Sequence, residues 1–135
     1  MRIIPGINIQ WPWSQMLLSG AKTIETRTYK IPQKYIGVEL ALIETPGALG
    51  KKKAGILKAR IIGTITFGCC VQYETKHAWI ADVSKHLVNL DDAKFGFDDR
   101  KEKWGWCVVD FKKFTKIIPV PKKRGIIFAK ECEVF

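Results

Sequence analysis

In this 135-residue chain, the types and spacing that could do chemistry are concentrated in Gly20-Ala21-Lys22-Thr23-Ile24-Glu25-Thr26-Arg27. The residues from Thr23 to Tyr29 alternate. Ile24, Thr26 and Thr28 fall on one face of a strand, and Thr23, Glu25, Arg27 and Tyr29 on the other. Glu25 and Arg27 are then roughly 7 Å apart along one face, with Lys22 at its margin. Lysine and arginine suit phosphate, and a glutamate accepts from an amino group on a base edge. The same trio also fits a solvent-exposed salt bridge worth under about 1 kcal/mol. Spacing leaves both readings open. Trp11, beside Pro12, is the candidate stacking ring for a base. The Lys51-Lys52-Lys53 run is either a solvated loop or, through Lys53, a further phosphate contact.

Other chemistries find little support. None of Ser14, Ser19 and Ser84 lies in a Gly-x-Ser-x-Gly elbow, and no glycine-rich phosphate loop is present. The two histidines, His77 and His86, are nine residues apart and there is no Cys-x-x-Cys. No metal or cofactor is expected. The cysteines, an adjacent pair (Cys69, Cys70) and two singles (Cys107, Cys132), read as reduced thiols of a cytoplasmic protein, the pair as inert packing.

The elements that must position the signature follow from periodicity. Ile7 to Gln10 is short enough for a first strand. Pro12 opens a two-turn helix in which Trp13, Met16 and Leu17 share a face, and Gly20 stops it. Thr23 to Tyr29 is a strand. Val38 to Ile43 is another with both faces apolar. Ile56 to Tyr73 is a long bent strand, with Gly63 and Gly68 marking a bulge and a turn. Thr75 to Leu87 reads as a helix with Trp79, Ile80, Val83 and Leu87 inward, and 88–103 as a surface loop. Trp104 to Phe114, Ile117 to Val120 and Gly125 to Lys130 complete six or seven strands. The fold class is α+β, barrel-like and mostly β, in one domain spanning 1–135.

Composition narrows the partner. There are 23 Lys+Arg against 13 Asp+Glu, a formal charge of +10, which favours an anionic partner such as nucleic acid. Of the 23, only Arg2, Arg27, Arg60, Arg100 and Arg124 are arginines, so the excess acts as diffuse point charge more than as bidentate forks. No apolar run approaches the roughly 20 residues that span a bilayer, so no membrane role is expected.

Taken in order, these motifs resemble a known family. Gly20-x-Lys22-x-x-Glu25-x-Arg27 is similar to the signature of the ASCH domain (activating signal cointegrator homology), of the PUA-like superfamily. Trp11-Pro12-Trp13, Tyr35-Ile36-Gly37, Gly63-Thr64-Ile65, Trp104-Gly105-Trp106, Pro119-Val120-Pro121 and Gly125 resemble its later motifs, and together they cover nearly the whole chain. The resemblance implies a small PUA-like β-barrel of about six strands flanked by two or more helices. It also implies a cleft beside the signature strand that takes RNA or a modified nucleoside, lined by Lys22, Glu25 and Arg27, in RNA metabolism. Some similar proteins are amidohydrolases of acetylated cytidine that use a lysine, a threonine and a glutamate. The lysine maps onto Lys22, but the threonine position is Glu25 here. A small hydrolase using Lys22 and Glu25, whether ribonuclease or nucleoside amidohydrolase, is the alternative, and a protein-interaction domain a third reading.

Overall fold

The computed structural model describes residues 1–135. The strands are β1 (Arg2–Gln10), β2 (Ile24–Arg27), β3 (Leu40–Thr45), β4 (Arg60–Gln72), β5 (Trp104–Pro119) and β6 (Phe128–Val134). They form one sheet in the order β2-β5-β4-β3-β1-β6. Only β1 and β3 run parallel, and the connection between them carries a short helix and the edge strand β2. The helices are short: α1 (Trp13–Leu18), α2 (Gly47–Lys53), α3 (Lys76–Ala81) and α4 (Val83–His86).

The expected barrel is not closed. β2 and β6 remain the two edges of the sheet, and no ladder joins them. β2 has four residues and spends its pairing on β5 alone. Side chains hold the curled sheet instead. Arg27 Nη2 on β2 donates to the backbone oxygen of Asn8 on β1 at 2.9 Å, and the Trp106 ring of β5 lies parallel to Phe128 of β6 at 6.3 Å.

β3 is buried on both faces, as its two apolar registers require. Leu40 and Leu42 join Ile7, Ile9, Leu17, Ile65, Phe67 and Trp106 beneath α1. Ala41 and Ile43 join Ile61, Ala129 and Val134 on the other side. The bulge expected at Gly63 is present, since the β4–β5 register shifts between Ile61 and Gly63. At Gly68, where a turn was expected, β4 continues through register shifts at Thr66/Phe67 and Phe67/Cys69. The two C-terminal strand segments fuse into the single long β5.

Three expectations are corrected. Lys51, Lys52 and Lys53 belong to α2 and not to a loop, and stabilise its C-terminal end as cations do. The 75–87 helix breaks into α3 and α4 at Asp82, so Ile80 and Val83 are exposed while His86 turns inward with Trp79. Cys69 and Cys107 face each other across the β4–β5 ladder as a disulfide, where reduced thiols were expected. Cys70 and Cys132 are free. No helix is long and apolar enough to cross a membrane.

Candidate functional site

A buried polar network anchors the helix that leads into the signature. Glu44 on β3 is fully buried, and it accepts from Ser14 Oγ and Gln15 Nε2, each at 2.7 Å, and from Arg60 Nε at 3.0 Å. A buried carboxylate survives only with such partners. These bonds pin α1 to the sheet and so fix the turn that carries Lys22, whose backbone N–H donates to Met16 O.

The signature residues are not a surface salt bridge. Lys22 is 1% exposed and Glu25 5%, because α1, α4 and β5 pack against β2 and the turn before it. The Lys22 ammonium donates to the carbonyl of His86, lies 3.8 Å from Glu25 Oε1 and sits 5.0 Å from the Trp13 ring centre. Burial pushes its pKa below the ordinary lysine value; Glu25 partly offsets this, while the nearby Arg27 charge adds to it. Arg27 grips the other carboxylate oxygen of Glu25 through Nε and Nη2, at 3.3 and 3.1 Å, and its Nη1 donates to the Tyr29 hydroxyl at 3.0 Å. Burial opposes the Arg27 charge, but Glu25 and Tyr29 outweigh it and raise its pKa. β5 backs the strand, with Glu25 registered opposite Trp106 and the indole N–H of Trp106 donating to Tyr29 O.

His86 anchors Lys22 from behind. Its Nδ1 accepts from the Val88 N–H at 3.0 Å, which leaves Nε2 to donate to Trp79 O at 2.9 Å. That assignment makes it a neutral imidazole, and burial lowers its pKa accordingly.

Lys22, Glu25 and Arg27 line one cleft of about 520 Å³, a size suited to a small ligand. Five lysine or arginine side chains face it and a single carboxylate, Glu25. Trp13, not Trp11, is the tryptophan in its wall, edge-on to Phe95 at 6.0 Å. Trp11 packs against Gly50 of α2 outside the cleft, and Lys53 is exposed on α2 away from it. Those two sequence candidates are therefore not brought to the site.

Four participants escaped the sequence reading. Asn8 lines the cleft with its Nδ2 held by the carbonyls of Gly125 and Ile126, and its buried Oδ1 has no partner. The 88–103 segment, read as a surface loop, forms a wall and contributes Lys94, Lys101 and Lys103. Nothing in its sequence singles these lysines out, since the segment carries five acidic residues against four basic ones.

No family model matches the sequence, and no curated protein matches it. Solved structures do. The ASCH protein of Zymomonas mobilis superposes with a TM-score of 0.60 at 16% identity, covering 81% of this chain and 68% of that one. A serine-to-alanine variant of that protein gives 0.61 at 15% identity, over 82% and 70% of the two chains. A tyrosine-to-phenylalanine variant gives 0.60 at 16%, over 83% and 73%. At such identities the likeness is one of fold, and the ASCH fold expected from the sequence motifs is the fold this chain has.

Proposed function

We propose that the chain is an ASCH-domain protein that binds RNA or a modified nucleoside in the cleft beside β2. The observation that carries this reading is the pairing of polar groups in one cavity. A buried ammonium and carboxylate, Lys22 and Glu25, lie beside the Trp13 ring in a cleft whose charge is otherwise positive. Such a site offers a stacking surface, a donor and an acceptor for a base edge, and attraction for phosphate. Arg27 serves as the positioning residue for Glu25, because most of its N–H groups are already taken.

The test is calorimetric titration with short single-stranded RNAs and a panel of free and base-modified nucleosides. Binding is expected to weaken by about 10-fold or more in Glu25→Gln, the loss typical of a hydrogen bond to a charged group. Absence of binding across the panel at low salt overturns the reading.

One observation favours a hydrolase as the second reading. Lys22 is a buried amine of lowered pKa, 3.8 Å from a carboxylate, an arrangement suited to proton transfer. Product release from acylated nucleosides or RNA that disappears in Lys22→Met would carry it. A panel left intact removes it.

A further inference from the structure

The 88–103 wall holds a largely covered lysine that makes no ion pair. Lys103 is only 6% exposed and forms no salt bridge or side-chain hydrogen bond; its ammonium lies 5.8 Å from the Trp79 ring centre. Its backbone is fixed, because Lys103 O accepts from the Tyr73 N–H at 2.8 Å. The Lys103 side chain is largely covered while it lines the cleft, and the Trp79 face is the contact its ammonium has, so an anion in the cleft would complete it.

Asp92, Asp98 and Asp99 line the adjoining depression, but none lies within salt-bridge distance of Lys103. The Asp92 carboxylate accepts from the N–H groups of Lys94 and Phe95, and Asp98 is held by Arg100. Lys94 and Lys101 make no ion pair either. All three lysines line both the main cleft and the adjoining depression of about 370 Å³, so they stand at the junction between the two. Trp13, Lys22 and Glu25 lie in the same main cleft. Burial of Lys103 depresses its pKa and Lys101 depresses it further, while Asp98 and Asp92 act in the opposite direction without reaching it as ion-pair partners.

We infer that Lys103, with Lys94 and Lys101, forms a phosphate subsite, and that the cleft ligand is a nucleotide whose base lies by Lys22 and Glu25. The inference rests on the nucleoside reading of the cleft for the base half alone. Lysines are point charges that accept a phosphate in any orientation. A phosphomonoester, near −2 at neutral pH, matches three ammonium groups better than a carboxylate would.

The test uses ribonucleosides, their 5′- and 3′-monophosphates, dinucleotides and inorganic pyrophosphate. Binding is read by calorimetry and by amide resonances of residues 94–103. At least one monophosphate is expected to bind roughly 10-fold or more tightly than its nucleoside, the gain of charge-assisted contacts. That gain should vanish in Lys103→Met and persist in Lys53→Gln, which lies outside the cleft. The double variant Lys94→Gln/Lys101→Gln gives the same reading should Lys103→Met fold poorly. A dinucleotide that shares the gain identifies a diester, and one that does not identifies a terminal phosphate. Pyrophosphate that shifts residues 94–103 only with Lys103 present, with no nucleoside binding, upholds the subsite and removes the nucleoside reading. Nucleosides that bind as tightly as their monophosphates overturn the subsite and leave that reading standing. A phosphate gain unchanged in Lys103→Met, or no response to any probe, overturns it as well.

Discussion

The guanidinium of Arg27 and the carboxylate of Glu25, two residues apart on β2, form a two-point contact at 3.1 and 3.3 Å. This leaves the second oxygen of Glu25 to Lys22. Arg27 also reaches Asn8 O across the open side of the sheet, so a single side chain orients the acid and ties β2 to β1.

Removing this arginine should therefore cost stability as well as function. Arg27→Ala leaves Glu25 buried with one distant partner, and is expected to lower unfolding free energy by about 3 kcal/mol in urea titrations. Arg27→Lys should recover little of it, since an ammonium cannot reproduce the fork. A melting temperature unchanged in Arg27→Ala would refute this role.

Lys22 should make stability depend on alkaline pH. Its folded pKa lies below the unfolded value of about 10.4, so between the two the unfolded chain binds more protons. Stability of the parent relative to Lys22→Met should rise with pH as Lys22 loses its proton. Parallel stability curves for the two proteins through that window would show that Lys22 ionises as it does in the unfolded chain.

His86 governs the acid side. It is buried and neutral, and its pKa is lowered, so its contribution is complete above about pH 6.5 and is lost as pH falls toward the folded pKa. Thermal melts from pH 8 to 5 should show the parent losing stability below that point, and His86→Gln losing less of it. Because His86 O holds the Lys22 ammonium, protonation of the ring should also disturb the cleft.

The cross-strand disulfide predicts a thiol count. Unreduced, denatured protein should titrate two thiols, Cys70 and Cys132, and four after reduction. The bridge closes a 38-residue separation, so Cys69→Ala with Cys107→Ala is expected to cost roughly 2–4 kcal/mol. Four thiols without reductant would contradict the pairing.

Much of the fold was legible locally. Alternation predicted the signature strand, and β2 occupies Ile24–Arg27 within it. Two-sided apolarity predicted β3, and Gly63 predicted the bulge at Ile61/Gly63. These signals are legible because strand period and backbone freedom act within a few residues. Trp11 and Lys53 do not line the cleft, because a position beside Pro12 or within a lysine run does not say which way the chain folds a side chain. Trp13, placed on the apolar face of its helix, packs against the core and also forms part of the cleft wall.

What the sequence determined by itself was the chemistry available and its order along the chain. Lys22, Glu25 and Arg27 stand at strand spacing after a helix stop, in a basic chain with the motifs of an ASCH fold. Tertiary structure decided what those groups are worth. Exposed, the trio would be a weak surface pair; covered by α1, α4 and β5, it is a desolvated and oriented set. It also decided which distant partners meet: Asn8 with Arg27, Cys69 with Cys107, and the lysines of 88–103 with the signature strand. Those meetings depend on register and on the curl of a sheet left open. Both arise from pairing between residues tens of positions apart, beyond the reach of local periodicity.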